Sequence, residues 1–220
     1  MKKSLLFLFI LILPVILVGC GSKIFNLSDY MSEITTSYYQ GENENFNASI
    51  SVGQREINYK VDGKHGPDCD FSLVEVKFSS LKEELGLDIE VIIDGQENDL
   101  FLEYVPLNNT FMGDLGFAIK SGSKVAIKIG DETLNLSQVS ENFTVDYNKA
   151  LDIAKLQLID EISSYNINGQ FNAEGYLKLL NKEGESFNQL FWCFTLVGSD
   201  GLKFDVVIDA NTGEVIGVNI

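Results

Sequence analysis

Basic residues are scarce in this chain. Lysine and arginine together number 16, with Arg55 the single arginine, against 32 aspartates and glutamates, for a formal net charge of −16. A surface of that sign excludes nucleic acid as a partner, because binding a phosphate backbone requires neutralisation by Lys and Arg. Histidine is scarcer still. With His65 alone, a His-Glu-x-x-His zinc helix cannot form, and any histidine-based triad has one available base. No Gly-x-Ser-x-Gly nucleophile elbow accompanies it. The regular strand–helix alternation of doubly wound folds is missing too, which argues against a transporter's substrate-binding protein.

What is present begins with an apolar run. Lys2 and Lys3 precede residues 5–18, which are apolar apart from Pro14. At 1.5 Å per residue that run makes roughly 21 Å of helix, short of the roughly 30 Å hydrocarbon core of a bilayer. Its length and flanks fit a secretory signal segment. The run closes on Leu17-Val18-Gly19-Cys20, which resembles the bacterial lipobox. The resemblance implies cleavage before Cys20 and a diacylglyceryl thioether on its sulfur, with a further acyl chain on the new amine. Buried methylenes are worth about 0.8 kcal/mol each, and stable anchoring takes more than one chain. The expected organisation is therefore a signal peptide (1–19) and a lipidated tether (20–26) on the extracytoplasmic face of the cell membrane.

Removal of 1–19 deletes two lysines and takes the charge from −16 to −18. An anionic membrane then repels the protein, and the lipid is left as the attachment. Cys69 and Cys193 remain as thiols. They can bridge in an oxidising compartment, although Cys193 within the apolar "LFWCFTLV" reads more simply as a buried free thiol.

Residues 27–142 read as successive short strands. "FNASISV" (46–52), "REINYKV" (55–61) and "FSLVEVKF" (71–78) alternate apolar with polar residues, and "LDIEVIID", "LFLEYV", "LGFAIK" and "KVAIKIG" continue the series. Turn signals fall at Gly53-Gln54, Asp62-Gly63, Asp94-Gly95, Asn108-Asn109 and Ser121-Gly122-Ser123. Such spacing predicts an antiparallel sandwich or barrel, of which the sandwich is the expectation carried forward. A first strand is expected late in 27–39, a helical turn in "SSLKEELGL", and a hairpin at the "SGS".

The period changes at Val145. Ala150, Ile153, Ala154, Leu158 and Ile162 fall at helical spacing, with Thr144 or Asp146 available as the cap. A short second helix is expected near 173–180. Then come three strands, "QLFWCFTLVG", "LKFDVVIDA" and "EVIGVNI", in an antiparallel meander. The helix, the Trp192 strand and the closing "FDVVIDANTGEVIGV", with Asp209, Gly213 and Glu214 bracketing a hairpin, resemble the PepSY superfamily of exported and membrane-attached bacterial modules. That implies a PepSY-like α+β domain over 143–220, beside a β-sandwich over 27–142, in a mainly β protein. It also implies a part in restraining secreted proteases.

Few residues suggest chemistry of their own. "DGKHGPDCD" places His65, Asp68, Cys69 and Asp70 close together as metal-ligand candidates, but the surrounding Asp62-Gly63 and Gly66-Pro67 predict a solvated turn and the knuckle spacing of zinc sites is absent. "DANTGE" (209–214) lacks the spacing of a calcium loop and fits a hairpin turn. Trp192 and Phe194 must share a strand face, either as core or as a binding platform. No cofactor is indicated. The function expected is non-enzymatic: a lipid-anchored binding protein for a protein or peptide partner, restraining or regulating a protease or envelope enzyme. The alternative is a carboxylate-dependent hydrolase of envelope polymers, with two acids roughly 5–9.5 Å apart in a deep cleft.

Overall fold

The computed structural model describes residues 26–58, 60–80, 84–181 and 189–220; the apolar run, Cys20 and residues 81–83 of the expected "SSLKEELGL" turn lie outside them. A 3-10 turn at Leu27–Tyr30 leads into β1 (Met31–Glu42), β2 (Phe46–Glu56), β3 (Asp68–Phe78), β4 (Gly86–Ile93), β5 (Gln96–Val105), β6 (Thr110–Asp114), β7 (Val125–Ile129) and β8 (Glu132–Gln138). Their spatial order is β1-β2-β3-β6-β5-β4-β7-β8, every pair antiparallel. β8 then returns to β1 through Tyr39↔Gln138 and Gln40↔Ser137. The eight strands thus close into a barrel, and the expected two-sheet sandwich is corrected. Alternating patterning sorts inside from outside on each strand, but it is identical for paired sheets and for one closed sheet. The barrel interior is filled by side chains such as Tyr39, Ile50, Val74, Val91, Leu102 and Ile127.

Several strand boundaries move as well. β2 runs straight through the expected Gly53-Gln54 turn and stops at Glu56, so "REINYKV" is no strand of its own. Gly53 is there for a contact: its added Cβ would sit 1.9 Å from the Ile34 carbonyl oxygen. β1 begins at Met31, earlier than expected. "LGFAIK" is a loop rather than a strand, and the hairpin falls between β7 and β8 instead of at the "SGS". The turns at Asp94-Gly95 and Asn108-Asn109 are as expected, with positive φ at Asp94, Gly95 and Asn109.

The C-terminal half consists of α1 (Tyr147–Gln157), α2 (Ile159–Tyr165), a small hairpin of β9 (Asn166–Ile167) and β10 (Gln170–Phe171), and a meander of β11 (Ala173–Asn181), β12 (Leu190–Gly198), β13 (Lys203–Asp209) and β14 (Val215–Asn219). Asp146 caps α1, accepting from the Lys149 N–H at 2.9 Å. The predicted inward positions Ala150, Ala154, Leu158 and Ile162 are buried against the sheet. The expected second helix at 173–180 is instead strand β11. In "AEGYLKLL" both periods are legible, and pairing of Gly175 with Met31 on one side and Leu196 on the other decides for strand.

β1 belongs to both halves. Its first residues pair in parallel with β11 (Met31↔Gly175, Ile34↔Leu177), a bulge follows between Thr35 and Ser37, and its last residues pair with β8. One sheet therefore continues from the barrel into the meander, and the protein is mainly β.

Candidate functional site

The two halves meet at a polar seam beneath residues 60–67. Ser32 on β1, Glu56 on β2 and Glu174 on β11 are all buried. Ser32 Oγ lies 2.8 Å from Glu56 Oε1 and 2.6 Å from Glu174 Oε2. The same carboxyls hold the segment from above: the Gly63 N–H donates to Glu174 Oε1 at 2.8 Å and the Gly66 N–H donates to Glu56 Oε1. The Tyr176 hydroxyl donates to the Lys60 carbonyl at 3.1 Å. Gly63, at φ 76°, is pressed so close that a Cβ would meet Ser199 Cα at 2.5 Å. Asp62 and Lys64 are exposed, as the expected solvated turn requires, while Gly63 between them is buried against the C-terminal half. Nothing in the sequence marked Ser32, Glu56 or Glu174, since single polar residues in strands read as solvent-facing.

Of the metal-ligand candidates, the structure brings His65 and Asp68 near each other, with Nε2 and Oδ2 3.5 Å apart. His65 Nδ1 is 3.7 Å from Glu56 Oε1. Burial pushes the Asp68 carboxyl up, against the opposing pull of His65, with Glu56 adding to the rise. Strand alternation sends Cys69 to the face opposite Asp68, and Asp70 accepts a hydrogen bond from Gln54 at 3.1 Å. Among the described residues no three His, Cys, Asp or Glu side chains gather around a point fit for a metal.

Trp192 and Phe194 do share a face, and it is the core face, 1% and 0% exposed. The Trp192 indole N–H donates to the Val145 carbonyl at 2.8 Å, which ties the entry of α1 to the sheet. The platform reading for these two residues is corrected. Phe191 and Cys193 lie on the other face, half-buried. Cys69 and Cys193 are free thiols, and burial, with Asp205 nearby, pushes the Cys193 thiol up to about 11. A thiol so far from ionisation is a packing group rather than a nucleophile.

With the barrel closed, β14 is the terminal strand of the sheet. Among the described residues it pairs only with β13, and it carries no charge and no proline. Ile216, Val218 and the following Ile220 are 51%, 42% and 74% exposed. Natural edges are usually guarded by lysine, proline or a covering element, and none guards this one among the described residues.

Depressions elsewhere are open. One of about 510 Å³ on the outer barrel wall is lined by Asp88, Glu90, Asp99, Phe101 and Lys128. There Lys128 is paired to Glu90 at 2.7 Å, and Phe101 lies over Gly86, whose Cβ would meet its ring at 2.1 Å. Another of about 350 Å³ lies near the junction, by Ser121, Gln138, Ser140, Asp146 and Tyr147. Glu90 and Asp99 oppose each other across β4 and β5 in the first, an open depression where Glu90 is paired to Lys128, whereas Glu56 and Glu174 meet on Ser32 in a buried seam. No family model, curated protein or solved structure matches this chain.

Proposed function

We propose that the chain is a lipid-anchored extracytoplasmic binding protein that takes an extended segment of a protein partner onto β14. The observation that carries this reading is the unguarded apolar edge itself, Ile216, Val218 and Ile220 beside free main-chain groups at the end of an otherwise closed sheet. A strand added there gains main-chain hydrogen bonds for affinity and alternate side-chain contacts for specificity. Restraint of a protease or envelope enzyme is the role that the PepSY-like resemblance of residues 143–220 implies, and the lipid on Cys20 supplies the membrane attachment. No observation favours the carboxylate hydrolase.

The test places a photo-crosslinking residue at Ile220 of the mature ectodomain and exposes it to membranes. The expected result is a crosslinked protein whose capture is lost in an Ile216→Lys/Val218→Lys variant of unchanged thermal stability. Equal capture by wild type and variant, or no crosslink at β14, overturns the strand-addition reading.

A further inference from the structure

β14 contains a glycine that its own fold does not require. Gly217 pairs with Val207 and is not among the glycines at positive φ. A Cβ added to it would meet Val207 alone, at 4.0 Å. Other strand glycines are different: at Gly53, Gly86, Gly175 and Gly198 an added Cβ would fall 1.9, 2.1, 2.6 and 2.3 Å from another atom. Glycine within a strand is less stable than alanine by roughly 0.5–1 kcal/mol and packs nothing. What it leaves is space, and in a strand such space marks the close approach of a ligand or a second backbone.

The surroundings of that space are specific. Alternation along β13 places Asp205, Val207 and Asp209 on the sheet face away from the helices, with Gly217 beside Val207 and Asn219 beside Asp205. The notch has an apolar floor, Val207, and a carboxylate two positions away at either end, roughly 6.8 Å along the strand. Asp205 accepts from the Thr195 hydroxyl at 2.7 Å and from Asn219 Nδ2 at 3.3 Å. Asp209 accepts the Asn211 and Thr212 N–H groups at 2.8 Å. Neither is engaged in an ion pair among the described residues.

We propose that the segment bound at β14 carries a lysine opposite Gly217, its stem crossing the glycine onto Val207 and its ammonium reaching Asp205 or Asp209. An added strand lies about 4.8 Å beyond β14, and a lysine's four-carbon stem spans roughly 6 Å. A side chain at Gly217 would block that path. The occupant follows from charge: the chain carries −16, so a second copy would bring the same aspartates and the same net repulsion to the edge. A cationic segment of another protein is complementary. This inference rests on strand addition at β14 and names its partner's chemistry.

Three short synthetic peptides test it, alternating valine with lysine, with serine or with glutamate, read by fluorescence anisotropy and by amide shifts on β14. The lysine peptide is expected to bind about tenfold tighter than the serine peptide at low salt. That preference should vanish in Gly217→Val, whose thermal stability is unchanged or higher, and in Asp205→Asn/Asp209→Asn. Equal binding of the lysine and serine peptides, or a preference that survives Gly217→Val, overturns the lysine notch and leaves strand addition standing. Absence of β14 shifts with every peptide overturns both, and a dimer formed through β14 without peptide replaces the cationic partner by a second copy.

Discussion

The Gly63 N–H donates to Glu174 Oε1 at 2.8 Å, joining two residues 111 positions apart in the chain. This contact pins residues 60–67 of the barrel half to the first strand of the meander, and Ser32 and Glu56 complete the same buried network. A hydrogen bond contributes about 0.5–1.5 kcal/mol net, and leaving a buried donor such as the Gly63 N–H without its partner costs about 1–3 kcal/mol more. Glu174→Ala should therefore lower unfolding stability by about 3 kcal/mol and expose the segment to protease. Glu174→Gln keeps an acceptor for Gly63 and offers a donor to Ser32 Oγ, so it should retain more than half of the seam's contribution. Urea unfolding with limited proteolysis distinguishes the two. Equal losses would mean that the network's geometry contributes nothing.

Trp192 anchors the other core. Its indole N–H reaches the Val145 carbonyl at 2.8 Å, and Phe143 meets its ring edge-on at a centroid distance of 6.5 Å. Trp192→Phe removes the donor, leaves that carbonyl unpaired and opens space beside a ring that is 1% exposed. The expected loss is about 2 kcal/mol, read as a lower urea midpoint by circular dichroism, with the barrel's signal unfolding no earlier than the helices' signal. A loss below about 0.5 kcal/mol would place the residue among surface substitutions.

How much of this was legible in the sequence differs between the two halves. The helical spacing of Ala150, Ala154 and Leu158 and the Asp146 cap were readable because one amphipathic period and one side-chain acceptor suffice locally. The Asp94-Gly95 turn was readable for a similar reason. Closure of the barrel was not, because it depends on β1 pairing with β8 and β11 along one edge, a choice made through the bulge at Thr35/Ser37 and the room left by Gly53. Strand β11 resembled a helix until its neighbours were known. The seam residues were hidden most completely: Glu56 and Glu174 look solvent-facing until the fold brings Ser32 and two glycine N–H groups to them.

Two tyrosines make alkaline stability predictable. Burial, followed by the charges of Glu141 and Asp94, pushes Tyr39 up from 10.0 to about 12, and its hydroxyl donates to the Lys120 carbonyl at 3.0 Å. Burial and then the Asp200 carboxylate push Tyr165 up from 10.0 to about 12 as well, and its hydroxyl donates to Asp200 at 2.8 Å. In the unfolded chain both ionise near 10.0 while the folded protein keeps them neutral. Their contribution is therefore complete below pH 10 and is lost as pH rises from 10 through about 12. Tyrosinate absorbance should show a late-titrating class that appears together with unfolding, and Tyr39→Phe should weaken the alkaline slope. Full titration of every tyrosine near pH 10 with the fold intact would contradict this account.

Attachment by lipid gives the last prediction, and it turns on Cys20. The apolar run 5–18 is short for a bilayer span, and among the described residues no helix is long and apolar enough to cross a membrane. The full chain carries −16, and cleavage before Cys20 would take it to −18, a charge that an anionic leaflet repels. If the thioether on Cys20 is the attachment, wild-type protein partitions with membranes, resists extraction by high salt, and is released by detergent. Cys20→Ala should abolish incorporation of labelled fatty acid and leave the protein either unprocessed or free in the soluble fraction. The unfolding midpoint of the described strands and helices should not change, because Cys20 lies outside them. Salt extraction of the wild type would instead assign the attachment to charge, and acyl label persisting in Cys20→Ala would assign it to another residue.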